Sequence, residues 1–308
     1  KPDKIYAERL TIDDKCFTIK YADVDGIGFS IDIVPATDES VKNKQRLSLK
    51  SKSPDLIETS ISIPKCETAD TFQWITNNPK GFRKWFEGIN APYLASAKEA
   101  EQLRLLADSR SVYASVEDIP HELHRSALQR VIQILKCHRN NYYGTLADGD
   151  DIKPISAILT VVAAKIAEHY NPNCTVFELL NYVLNELSVY SEYQHITAKD
   201  FTQRFGSRAA LSRPSGKWYI ENPANPDDNL ADQWNNDDRI PAKFFQWVKV
   251  AQNDLINSLE QKDDKQFRAI LENSFGGKTV SGVLGNKYRG NTAPRLIISK
   301  TAPKPFLV

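Results

Sequence analysis

From about residue 120 onward the apolar positions recur at the spacing of helix faces. Leu128, Val131, Ile132 and Leu135 follow an i, i+3, i+4, i+7 pattern. Ile155, Ile158, Leu159, Val162 and Ile166 repeat it, as do Val176, Leu179, Leu180, Val183 and Leu187. A fourth face uses Phe244, Val248, Ala251, Leu255 and Leu259. Before this helical part the pattern is strand-like. Cys16–Tyr21 alternates apolar and polar residues, and the run Phe29, Ile31, Ile33, Val34 stops at Pro35, which cannot donate to a ladder. Asp23-Val24-Asp25-Gly26 between them reads as the turn of a hairpin. Arg46–Leu49 and Glu58–Pro64 are weaker strand candidates. Asn77–Phe82 predicts a turn into a short aromatic helix carrying Trp85 and Phe86, an aromatic wedge between two lobes in preference to a direct base contact, and residues 95–111 a separate, solvated charged helix. Ser115–Pro120 has the composition of a helix N-cap with acids in the first turn. Linker-like composition gathers at 206–217, at 222–229 and in the tail from Phe275.

One carboxylate interrupts this pattern. Asp32 sits inside the Phe29–Val34 run, on the face opposite Ile31 and Ile33 and together with Ser30 and Val34. That predicts an acid on the polar rim of a sheet whose other face packs inward. An exposed aspartate on a half-buried strand and a metal-binding carboxylate both fit such a position. Asp23-Val24-Asp25 has the spacing of a carboxylate pair, but it abuts Gly26 and lies in the connection between two strands.

Composition narrows the class. With 308 residues, 41% apolar and 26% charged, the chain reads as an ordinary globular protein able to bury a large core in one bilobed unit or two domains. A net charge of +1 supplies no bulk basic field for long nucleic acid, so any polyanion bound is expected to be small and held locally. No apolar run is long enough for a membrane span, and no signal peptide precedes Lys1. Cys16, Cys66, Cys137 and Cys174 are far apart with no C-x-x-C pair, which argues against zinc and a disulfide framework and for a reducing cytoplasm. Gly276-Gly277-Lys278-Thr279 has the ending of a phosphate-binding loop, but Glu272 stands where that motif requires glycine. The histidines show no zinc-protease pair, although His121 and His124 at i and i+3 could touch a metal. Methionine is absent, including at position 1, which fits natural avoidance, a fragment of a longer chain, or modified methionines left out of the written sequence.

Five phrases carry a resemblance: "GFSIDIVPA" at 28–36, "NNPKGFRKWF" at 77–86, "ALQRVIQILKCHRN" at 127–140, "KPISAILTVVAA" at 153–164 and "IENPANPDDNLADQW" at 220–234. In this order, and spread over most of the chain, they resemble the cGAS/DncV-like nucleotidyltransferases of bacteria. The resemblance implies an α+β fold, with a polymerase-beta-like palm built on a mixed sheet, a helical lobe after it and a central cleft. Residues 1–115 would be the remainder of the palm, and 116–308 an oligoadenylate-synthetase-like helical lobe.

The resemblance also implies chemistry. Asp32 matches the third of three acids that hold two Mg²⁺ ions (Mn²⁺ being an alternative), the other two forming an Asp-x-Asp or Glu-x-Asp pair after a Gly-Ser loop, expected upstream of Lys1. Lys136, in "LKCHR", matches the lysine that contacts the nucleotide triphosphate. Ser156, in "KPIS", matches the serine that hydrogen-bonds the phosphates, and a hydroxyl at a helix start suits an anion independently of any family. Arg139 lies one turn from Lys136 and is a further candidate contact. A solvated helix face is the plainer reading of both cations. The 220–234 phrase reads as structural, its Asn and Pro fixing turns. The implied function is synthesis of a cyclic di- or trinucleotide messenger from nucleoside triphosphates such as ATP, in a cytoplasmic anti-phage system. A HORMA-type or other accessory protein and an effector that senses the product would be its partners. Two alternatives remain: a non-catalytic nucleotide- or partner-binding module, and a nucleotidyltransferase with a linear product.

Overall fold

The computed structural model describes residues 10–12, 16–21, 29–68, 71–109, 125–192, 197–206, 209–260 and 263–285. The Asp23–Gly26 turn, the Ser115–Pro120 cap, His121, His124, His195 and the tail after Gly285 lie outside them.

The expected hairpin is present. β1 (Leu10–Ile12), β2 (Phe17–Lys20) and β3 (Ser30–Ile33) form an antiparallel sheet in that order. Its register sets Thr18 opposite Asp32, with Leu10, Ile19 and Ile31 aligned across the strands and Phe17 opposite Ile33. One face is therefore aliphatic and the other carries Thr11, Thr18, Ser30 and Asp32. The expected inward packing of the aliphatic face is not found among the described residues, because Ile31 is 39% and Ile33 48% exposed.

A second antiparallel sheet joins β4 (Thr37–Asp38), β5 (Ile61–Thr68) and β6 (Thr71–Asn77). The residues expected as a strand at Arg46–Leu49 instead lie in helix α1 (Val41–Lys50). Ser40 starts it, its hydroxyl oxygen accepting the Asn43 N–H, and Leu47 is its buried anchor. The aromatic helix and the charged helix expected as two pieces are one 31-residue helix, α2 (Pro79–Ser109). Asn78 holds its start. Its Oδ1 accepts from the Gly81 N–H and the Thr59 hydroxyl, and its Nδ2 donates to the Leu56 and Ala224 carbonyls. Phe82, Trp85, Phe86 and Ile89 pack from α2 against the helical core, as the aromatic-wedge reading expects.

That core is built by α3 (Ala127–Gly144), α4 (Ser156–Ala167), α5 (Val176–Glu192) and α7 (Arg239–Leu255), with α6 (Ala198–Phe205) at its side. The periodic residues Leu128, Val131, Leu135, Ile158, Leu159, Val162, Leu179, Val183, Phe244 and Val248 are buried there. The pattern overreached at two ends: Ile155 precedes α4 and is 50% exposed, and Leu259 falls past α7 in a 3-10 turn. Ser126 and Gln129 form a reciprocal capping box at the start of α3.

The hairpin of β7 (Glu221–Asn222) and β8 (Asn225–Asn229) ties the sheet part to the helical part. Asn225 donates to the Thr76 carbonyl, and Asp227 pairs with Arg46 and Lys50 of α1. Asn229 accepts the Ile220 and Ala231 N–H groups, so the asparagines of this phrase shape turns as expected. Gly276, at φ 84°, turns α8 (Asp264–Phe275) into α9 (Gly277–Leu284).

Candidate functional site

Two of the sequence-selected residues, Arg139 and Ser156, meet where α3 passes the start of α4, and Lys136 precedes Arg139 by one turn of α3. Lys136 and Arg139 are three residues apart on α3 and so share a face. Arg139 is only 5% exposed, and its side chain makes four hydrogen bonds. Nη1 donates to the Pro154 carbonyl at 2.7 Å, Nε and Nη2 donate to Asn140 Oδ1 at 3.0 and 2.7 Å, and Nη2 also donates to Ser156 Oγ at 3.3 Å. Arg139 thus grips both sides of the α4 entry.

Ser156 is exposed at the first position of α4, where the preceding Ile155 supplies no side-chain cap. The first-turn N–H groups of such a helix start favour negative charge. Lys136 is half-buried. Burial, and then the charge of Arg139, push its ammonium below the ordinary lysine value. Burial likewise lowers Arg139, which nonetheless stays charged. No carboxylate pairs with either cation among the described residues.

A contrasting cluster lines a cavity of about 370 Å³ that includes Lys52, Trp85, Lys165, His169, Tyr219 and Glu221. Here both lysines share one carboxylate, with Lys52 Nζ at 3.0 Å and Lys165 Nζ at 3.7 Å from Glu221. Each of them thus has an acidic partner, whereas Lys136 and Arg139 have none among the described residues.

Asp32 stands apart from these three, on the polar face of the first sheet. The Thr18 hydroxyl donates to its Oδ1 at 2.7 Å, and no described hydrogen bond links it to Lys136, Arg139 or Ser156. Among the described residues no three His, Cys, Asp or Glu side chains gather to hold a metal ion. A single exposed carboxylate does not fit a two-metal centre by itself, which needs several hard oxygen ligands. The described residues therefore do not make up that centre.

His138 is a residue whose role the sequence did not reveal. It is 1% exposed, accepts the Trp247 indole N–H on Nδ1 at 3.0 Å and lies 3.2 Å from Asp254 through Nε2. This is a packing network, with no nucleophile in it.

Small antiparallel sheets, a long connecting helix and a helical core make up the nucleotidyltransferase fold of the CD-NTases, the fold that the five phrases implied. The solved structure of the Bradyrhizobium diazoefficiens CD-NTase CdnG in complex with GTP matches 89% of this chain and 67% of that one, with a TM-score of 0.55 and 18% identity. A c-di-GMP synthase of Roseivirga ehrenbergii is 23% identical over 258 residues, 84% of this chain and 53% of that protein. The chain thus spans about half the length of this curated relative. No family model matches the chain. No described helix is long and apolar enough to cross a membrane.

Proposed function

We propose that this chain provides the triphosphate-binding part of a cyclic oligonucleotide synthase. The protein would join nucleoside triphosphates into a cyclic di- or trinucleotide second messenger for anti-phage signalling. The observation that carries the reading is the pair of cations Lys136 and Arg139 on one face of α3, withdrawn from water with no acidic partner among the described residues, Arg139 reaching the open N-terminus of α4. Buried charge without a counter-charge is costly, and an anion seated there relieves it. A triphosphate suits the site because it brings several negative oxygens to one lysine, one hydroxyl and a helix start. The GTP in the structurally similar CD-NTase and the c-di-GMP synthase named among the relatives support this choice of anion.

Lys136 would contact phosphate directly and Ser156 would donate its hydroxyl. Asp32 would be one carboxylate of a Mg²⁺ centre whose other ligands come from outside the described residues. An accessory regulator and a product-sensing effector would complete the pathway. The rival reading, a nucleotide- or partner-binding module without catalysis, draws on the lack of a metal-holding cluster of side chains among the described residues.

The test is kinetic. Lys136→Ala and Ser156→Ala in the full-length protein should each raise the apparent KM for nucleotide, by about 1–3 kcal/mol of lost interaction. Parent-like KM values in both would place the triphosphate elsewhere.

A further inference from the structure

Arg139 has the charge of a phosphate ligand but not the freedom of one. Its side chain makes four hydrogen bonds inside the protein, and the residue is 5% exposed. We propose that Arg139 is a positioning residue that acts on the nucleotide through Ser156, fixing both the entry of α4 and the direction in which the Ser156 hydroxyl donates. This rests on the reading of Lys136 and Ser156 as triphosphate contacts.

The geometry gives the reason. Arginine has donors only, so at Ser156 Oγ the guanidinium occupies an acceptor lone pair. The Ser156 O–H must then point away from Arg139, and no described hydrogen bond uses that proton. A hydroxyl that accepts from a cation is polarised and donates more strongly, which favours an anionic acceptor. The second grip is on the backbone. Arg139 Nη1 holds the Pro154 carbonyl, two residues before Ser156, at 2.7 Å, and so fixes the chain as it enters α4. Asn140 completes the device, because its Oδ1 accepts from both Nε and Nη2 and sets the plane of the guanidinium. The cation is thereby held behind the serine, and its field adds to that of Lys136.

Lysine at 139 could keep the charge but not the fork that reaches Pro154, Asn140 and Ser156 together. The experiment is a double-mutant cycle in the full-length protein. Calorimetry would measure binding of the α,β-methylene analogues of ATP and GTP with Mg²⁺ present, at several salt concentrations. Arg139→Lys, Ser156→Ala, their combination and Lys136→Ala are compared with the parent.

Arg139→Lys should weaken binding several-fold in the parent but change it by less than about twofold when Ser156 is already alanine. It should leave the salt dependence of affinity at the parent slope, whereas Lys136→Ala, which removes a direct phosphate charge, should flatten it. Asn140→Ala, a change at an exposed residue, should show the same dependence on Ser156 and serves as the probe if Arg139→Lys does not fold. Full additivity with Ser156→Ala, or a flattened salt slope in Arg139→Lys, would overturn the proposal in favour of direct phosphate contact. Unchanged binding in both Arg139→Lys and Asn140→Ala would also overturn it. If the parent binds neither analogue, or Lys136→Ala binds like the parent, the triphosphate reading itself falls and this inference with it.

Discussion

The buried His138 network makes the stability of the helical core depend on pH in a way that one substitution can expose. The Trp247 indole nitrogen is a donor only, so the His138 Nδ1 that it meets at 3.0 Å must be an unprotonated acceptor. The ring proton therefore sits on Nε2 and points to Asp254 Oδ2. Protonation would set two N–H groups against each other across the His138–Trp247 contact. Burial accordingly pushes His138 below its ordinary value of 6.5, against the opposing pull of Asp254. The folded state then binds fewer protons than the unfolded chain just below pH 6.5. The stability is complete above that value and declines as pH falls toward the folded-state pKa.

One pH unit below 6.5 the loss can reach about 1.4 kcal/mol, and it cannot be steeper than that per unit from one site. At neutral pH Trp247→Phe should cost about 1–3 kcal/mol for the acceptor left unpaired, a fall of a few degrees in Tm. It also removes the opposing N–H, so His138 becomes easier to protonate and the acid-side decline should flatten. The assay is urea or thermal unfolding of parent and variant between about pH 7.5 and 5.5, above the range in which carboxylates protonate. A parent with no decline in that window, or a Trp247→Phe variant with a steeper one, would refute the tautomer and its consequence.

Further outcomes follow from the sheet part. Glu39 is 8% exposed. Burial raises its pKa, but hydrogen bonds from the Thr76 hydroxyl and the Ser40 N–H outweigh this and leave it below the ordinary 4.5. Its contribution is present above pH 4.5 and lost as pH falls through the lower folded-state value, so Glu39→Gln should cost about 1–3 kcal/mol near neutrality and less in acid, read by urea unfolding. Asn78→Ala should cost about 2–4 kcal/mol by the same assay, since one side chain caps α2 and bonds the Leu56 and Ala224 carbonyls. Gly81→Ala should also destabilise, because an added Cβ would lie 2.4 Å from Asn78 Nδ2.

The helical lobe was legible because its faces are long and its apolar residues reach one core. Leu128 to Leu135 and Val176 to Leu187 report the period of 3.6 with few exceptions. The sheet part was less legible where burial is slight. Only Leu47 of α1 is buried, so Arg46–Leu49 had no helical stripe to show, and the Ser40 cap was the available signal. β6 escaped notice although Phe72 and Trp74 alternate with polar residues, since both side chains are more than half exposed. The change from aromatic to charged composition split α2 into two expected pieces, whereas the backbone continues through it and through Pro92.

In the candidate site, the wording singled out residues on α3 and at the start of α4, which the Arg139–Ser156 hydrogen bond joins. The burial of Arg139 was not readable, because it depends on the Pro154 carbonyl and the Ser156 hydroxyl, 15 and 17 residues further along the chain. Asp32 stood out by its place in an apolar run, but the face behind it is more open than a strand of that composition suggests.

The most direct measurement is product analysis of the full-length protein incubated with ATP, GTP and Mg²⁺, beside Asp32→Asn and a metal-chelated control. Asparagine at position 32 can still accept the Thr18 hydroxyl bond, so the strand pairing should persist while the carboxylate charge is gone. Mass spectrometry should find a cyclic di- or trinucleotide from the parent and none from Asp32→Asn or without the metal. A folded parent that binds nucleotide yet yields no product, a linear product alone, or undiminished synthesis by Asp32→Asn would contradict the assignment.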